Sequence, residues 1–208
     1  MTKFQIDLNC DMGESFGNYK IGNDDQIFPY ITSSNIACGF HGGDPFHIEN
    51  TIKKAIEFGV SVGAHPSYPD LQGFGRRKMK VNKSELKSIL KYQIVAVKGL
   101  AESLGGQLKY VKPHGALYNT AASDENESQI IIESVREINP ELILMGLAGS
   151  ITEKVAKKED HPFVAEAFAD RKYTSDGKLM SRALNGSVIH NSEEAVNQVL
   201  SLILEKKV

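Results

Sequence analysis

Six short apolar runs, most of them followed by an amphipathic helical pattern, constrain this chain more than any other feature. They cover residues 4–10, 35–40, 60–65, 108–113, 142–147 and 163–168. Strands that alternate with helices in this way imply a parallel sheet with right-handed crossovers and helices packed outside it. In DPFHIENTIKKAIEFG, Asp44 is placed as N-cap and Pro45 at the first helical position, Ile48, Ile52 and Ile56 share one side, and Gly59 ends the pattern. Asn82 and Glu85 have capping-box spacing ahead of Leu86, Ile89, Leu90, Ile94, Val97, Ala101 and Leu104, and Gly105 ends that helix. Further helices are predicted over 124–138, over 150–158 with Ser150 and Glu153 at the box positions, and over 192–206. ADRKYTSDGKLMSRALNGSV lacks helical periodicity and carries turn signals at Asp176-Gly177 and Asn185-Gly186, which predict a hairpin-like excursion. No repeat, low-complexity tract or Gly/Ser linker interrupts the order, so one β/α domain is expected over residues 1–208.

Composition narrows the function classes. Apolar residues make up 41% and charged residues 24% of 208, ordinary globular usage that argues against disordered or disulfide-scaffold classes. A net charge of -2 and a pI near 6.3 offer no basic field for a polyanion, so nucleic acid is not an expected partner. The start, MTKFQIDLNCD, lacks the continuous apolar core of a signal peptide, and no run approaches the roughly 18 apolar residues of a membrane span. A cytoplasmic location without membrane contact is the expectation. Cys10 and Cys38 lie in separate predicted strands and read as buried, reduced thiols.

The strands share one design, which is where chemistry enters. In FQIDLNCD, Asp7, Asn9 and Asp11 alternate with apolar residues and so fall on one face. The same alternation groups Asn35, Ala37, Gly39 and His41; then Ser61, Gly63 and His65; then Tyr110, Lys112 and His114; and finally Glu166, Phe168 and Asp170. Ionisable groups gather toward the carboxyl-terminal ends, where ligands bind in parallel β/α sheets. Asp7, Asp11, His41, His65, Lys112 and His114 are therefore the candidate catalytic residues, and His47, His161 and His190 have no such setting. Glycine-rich turns follow the strands in CGFHGGDP, HPSYPDLQGFGRR and KPHGALYN. The second contains no Walker loop, but Arg76 or Arg77 could clamp a carboxylate or phosphate.

DLNCDMGESFG, SSNIACGFHGGDP, VGAHPSYPDLQGFGRR, YVKPHGALYN and EAFADRKYTSDGKL occur in an order that resembles the LamB/YcsF family over nearly the whole chain. The resemblance implies an irregular TIM-like β/α barrel related to glycoside hydrolases and metal-dependent deacetylases. It also implies membership in a 5-oxoprolinase, a hydrolase that uses ATP to open 5-oxo-L-proline to L-glutamate, as the A component working with partner subunits B and C. On that reading His41, His65 or His114 is the general base, and Asp7 and Asp11 orient an imidazole or a divalent metal. Asn9, Arg76, Tyr118, Asp170 and Arg171 bind substrate. Family members continue past the helix ending near Lys206 into a further strand, so a barrel lacking its last strand is expected of a sequence stopping at Val208. Two other readings use the same residues: a metal-dependent N-deacetylase with Asp11, His41 and His65 as ligands, and a non-catalytic substrate-binding scaffold whose partners hold the chemistry.

Overall fold

A computed structural model describes residues 5–182 and 184–205. It contains β1 (Asn9–Met12), α1 (Asp24–Ile27), β2 (Ser33–Ala37), α2 (Pro45–Glu57), β3 (Ser61–His65) and α3 (Lys83–Ser103). These are followed by β4 (Leu108–Val111), α4 (Gly115–Ala121), α5 (Glu125–Ile138), β5 (Ile143–Leu147), α6 (Ile151–Lys158), β6 (Phe163–Glu166) and α7 (Ser192–Leu204). The strands form one sheet in sequence order, and the pairs from β1–β2 through β4–β5 are parallel. This is the α/β order of a TIM-like barrel, as the sequence implied.

By packing, the chain divides into two compact units. One comprises Met1–Gly146 and Ser150–Val164; the other comprises Leu147–Gly149 and the chain from Ala165 onward. In the first, the helices form where local chemistry starts them. Asp44 caps α2 by accepting from the Phe46 and His47 amides, and Asn82, Asp124 and Ser150 cap α3, α5 and α6 through the amide three residues on. The stripe Leu86, Leu90, Ile94, Val97 and Ala101 of α3 is fully buried, and with Ile131, Ile132 and Val135 of α5 it joins the core that covers the outer side of the sheet. Both cysteines are free, and burial pushes the Cys10 thiol to about 11 and the Cys38 thiol to about 12, so both stay protonated.

Strand bounds differ from expectation, most at the first strand. Phe4 lies outside the described residues, and β1 begins only at Asn9, where pairing with Ser33 starts. Ile6 and Leu8, on the apolar face of the predicted strand, are 60% and 49% exposed. Before that point the backbone contact is one-sided: the Leu8 carbonyl accepts from the Thr32 and Ser33 amides, while the Leu8 amide is taken by the Thr32 hydroxyl, which also donates to Asp7. The seven-residue α4 was not anticipated; its N-cap, His114, makes no side-chain capping bond.

In the second unit the excursion is held by antiparallel bridges, Arg171 with Val188 and Tyr173 with Leu179, around a turn at Asp176-Gly177. The Arg171 guanidinium donates to the Met180 carbonyl, and Gln198 of α7 donates to the carbonyls of Phe168 and Arg171.

Candidate active site

The polar faces of β1 to β4 meet in a connected network. Gly63 has no side chain because the Tyr110 ring lies against it: a Cβ there would come within 2.2 Å of the ring. The Tyr110 hydroxyl donates to Asn35 Oδ1 at 2.7 Å, and Asn35 Nδ2 donates to Asn9 Oδ1 at 2.7 Å and Asp11 Oδ1 at 2.8 Å. Lys112 Nζ, with a side chain 7% exposed, completes the group at 3.1 Å from Asn9 Oδ1 and 3.2 Å from Asp11 Oδ1. A buried ammonium needs such acceptors to offset lost hydration. Asp11 keeps 40% of its side chain exposed, and what burial it has works to raise its pKa. His65 and Lys112, with hydrogen bonds from His65 and Asn35, outweigh that and hold the carboxyl well below the usual carboxylate range.

At and just past the strand ends, three imidazoles pack together. His41 and His114 are stacked with centroids 3.7 Å apart and planes 1° from parallel, and His65 stands edge-on to both. The pairing of β3 with the chain beyond β4 continues through Lys112 N to Ala64 O and His114 N to Pro66 O, which is why Lys112 and His114 reach this point although β4 ends at Val111. His114 Nδ1 lies 2.9 Å from His65 Nε2, and His114 Nε2 lies 2.9 Å from the Phe74 carbonyl. Phe74 adopts a left-handed conformation, φ 54°, unusual for a bulky residue, and its strain delivers that carbonyl to the histidine. Burial first, then His65, lowers the pKa of His41 to about 3 and of His114 to about 2, so both are neutral near pH 7.

Glu14 is the member that sequence reasoning missed. Its Oε1 lies 3.3 Å from His41 Nε2 and 3.9 Å from His114 Nδ1. Burial, the largest influence, raises its pKa to about 7 against the opposing pull of His65, Arg76 and Lys112. The available signal was positional: Glu14 follows a glycine turn just past β1, as His41 follows one past β2. Arg76 sits with its guanidinium carbon 5.2 Å from the Phe74 ring centroid. Arg77, the other arginine considered, is committed to Asp70, whose carboxylate also accepts from the Gly73 and Arg77 amides.

The structure therefore brings together Asn9, Asp11, His41, His65, Lys112 and His114, with Glu14 added. Asp7 is not among them. It accepts from the hydroxyls of Thr32 and Ser33 at the amino-terminal end of the sheet, because β1 starts after it. Tyr118 is buried on α4, one turn past His114. Asp170 and Arg171 belong to the second unit, where Arg171 is occupied in holding the excursion. The deacetylase triad is only partly assembled, since Asp11 Oδ2 is 3.4 Å from His65 Nε2 but His41 turns to Glu14. Donor atoms of Glu14, His41, His65 and His114 all lie within 4.8 Å of one another, a grouping able to attract a metal ion. Among the described residues, no helix is long and apolar enough to cross a membrane.

Known proteins share this framework. The model of the LamB/YcsF family matches residues 6–208. A protein of Acinetobacter baumannii (strain ACICU), named as the A component of 5-oxoprolinase, is 53% identical over 198 residues, 95% of this chain and 78% of that one. Its namesake in Bacillus mycoides (strain KBAB4) is 50% identical over 201 residues, 96% of this chain and 79% of the relative. The crystal structure of a lactam utilization protein from Thermus thermophilus superposes with a TM-score of 0.94 at 43% identity, covering 99% of this chain and 83% of that one. Matched in sequence and in fold over nearly its whole length, the chain belongs to the LamB/YcsF family.

Proposed function

We propose that this chain is the A component of a 5-oxoprolinase, the one that holds 5-oxo-L-proline while its lactam is opened to L-glutamate. The observation that carries this reading is the cluster of Asp11, Glu14, Lys112 and three imidazoles at the strand ends, in a chain 53% identical to a protein of that name. Water adds its oxygen to the lactam carbon, the C–N bond breaks, and the nitrogen leaves with a proton as the amine, so the cluster must carry protons and shelter developing negative charge. Arg76, braced on Phe74, is suited to the substrate carboxylate through its planar fork. Lys112, fixed by Asn9 and Asp11, provides a positive charge toward the reacting carbonyl oxygen. His41, neutral by burial, offers a lone pair to orient water. ATP supplies the activation: its γ-phosphoryl group passes to the lactam oxygen as ADP leaves, C–N cleavage after water addition leaves an acyl phosphate, and a second water releases phosphate; we assign this use of ATP to the assembled complex with partner subunits B and C.

Reconstitution tests this. The chain mixed with the two partner subunits should release glutamate from 5-oxoproline only when ATP is present, and the chain alone should release none. A complete mixture that forms the complex but leaves 5-oxoproline intact overturns the reading; turnover by the purified chain alone overturns the division of labour.

A further inference from the structure

The backbone dictates the tautomers of two histidines. A carbonyl oxygen only accepts, so the 2.6 Å contact between His65 Nδ1 and the Lys112 carbonyl places a proton on that nitrogen. The 2.9 Å contact between His114 Nε2 and the Phe74 carbonyl does the same. The two remaining nitrogens, His65 Nε2 and His114 Nδ1, then face each other across 2.9 Å. Their next neighbours are acceptors too: Asp11 Oδ2 is 3.4 Å from His65 Nε2, and Glu14 Oε1 is 3.9 Å from His114 Nδ1. Lone pairs so placed require a positive charge between them. One extra proton on the His65 ring provides it; so does a metal ion. The surroundings favour the ion, because ligating histidines characteristically donate their other N–H to a carbonyl or carboxylate, and both rings do so here.

We propose that His65 Nε2, His114 Nδ1 and a carboxylate oxygen of Glu14 bind one divalent transition-metal ion, with His41 positioning Glu14. Donors 2.9 Å apart, each about 2.1 Å from an ion, subtend about a right angle, the cis relation of a six-coordinate site with two histidines and one carboxylate. His41 is excluded from the ligand set by its stacking. A ligating nitrogen directs its lone pair along its own ring plane, and an ion in the plane of His114 lies well off the parallel plane of His41, which is 3.7 Å away between centroids. The His65 plane meets that of His114 at 87°, so the two planes share a line along which an ion can lie. His41 Nε2 instead holds Glu14 at 3.3 Å, the supporting contact a carboxylate ligand needs. Such an ion supplies Lewis acidity toward a carbonyl or phosphoryl oxygen. The inference does not depend on the lactam reading, since it rests on donor geometry alone.

The test reads metal directly. Tag-free chain, stripped with a chelator, is equilibrated with Zn²⁺, Mn²⁺ or Co²⁺ and its metal content determined, with the Co²⁺ absorption spectrum reporting imidazole ligation. One ion per chain is expected for at least one of these metals, with thermal unfolding shifted upward by its presence. Glu14→Gln and His114→Ala should each weaken binding by about 100-fold or more, His41→Ala by about 10-fold to 100-fold, and His161→Ala not at all. Circular dichroism establishes that each variant is folded; if one is not, the wild-type Co²⁺ spectrum and melting shift decide in its place. Substoichiometric uptake of all three metals by the wild-type chain overturns the proposal and leaves the shared proton as the answer. Unchanged binding in folded Glu14→Gln and His114→Ala also overturns it.

Discussion

Gly75 sits between two histidines with no room for a side chain. A Cβ there would lie 2.8 Å from His114 Cδ2 and 2.9 Å from His41 Cβ, and its φ of +64° is left-handed. Gly75→Ala should therefore cost about 1–3 kcal/mol in backbone strain alone, in addition to displacing the rings. Thermal unfolding of the variant checks this, and a wild-type midpoint would show that the loop yields without penalty. Asp11 is a different kind of residue, half-open and tied to Lys112. Asp11→Asn should lower glutamate release by the reconstituted complex by about 10²-fold or more, while circular dichroism shows the fold retained. Activity equal to wild type would remove Asp11 from the cluster's chemistry. At this scale the sequence was partly legible. Alternation on a strand tells which face a side chain takes, and it grouped Asp11 with His65 and Lys112 correctly. It does not tell where the ladder begins, so Asp7, on the same predicted face, falls at the other end of the sheet.

Helix α2 depends on one carboxylate. Asp44 accepts from the Phe46 amide at 2.9 Å, the His47 amide at 3.0 Å and the Gly17 amide at 2.6 Å, and from His47 Nδ1 at 2.8 Å. The Gly17 bond is the largest cause of a pKa held down to about 2. Asp44→Ala should cost about 1–2 kcal/mol near neutral pH. Because the folded pKa lies below the unfolded value near 3.9, the unfolded chain binds more protons between the two. The stabilisation is thus complete above about pH 4 to 5 and is lost as pH falls through about 2. Denaturation curves for wild type and variant should converge on acidification, and a constant gap from pH 6 to pH 2 would contradict the assignment. Elements of this kind were readable because a cap and a hydrophobic stripe are local. Asp44, Asn82, Asp124 and Ser150 announce helices through residues three or four positions away. Helix α4, seven residues long and without a side-chain cap, carries no such announcement.

The two compact units differ in how much they bury. Helix α3 has six fully buried residues, whereas α7 has none, and its Val196, Leu200 and Leu204 are exposed on one side at intervals of four. Amides protected by few buried contacts exchange through local opening. In the isolated chain, hydrogen exchange should therefore be faster by orders of magnitude in α7 than in the middle of α3. Equal protection of the two helices would show that the chain opens only as a whole.

The order of the strands and of the longer helices, the capped starts of those helices, the parallel sheet and the polar face of most strands were set by the sequence alone, because each depends on residues within a turn or a pleat of one another. The composition of the site was decided by tertiary structure. Glu14 joins three histidines only because the turn at Gly13 brings it back over the strand ends, where β2, β3 and β4 deliver residues that lie 27 to 100 positions away in sequence. The tautomers of His65 and His114 were equally invisible, since each is set by a carbonyl 47 or 40 residues distant. Contacts at that separation are fixed by packing, which no local pattern encodes.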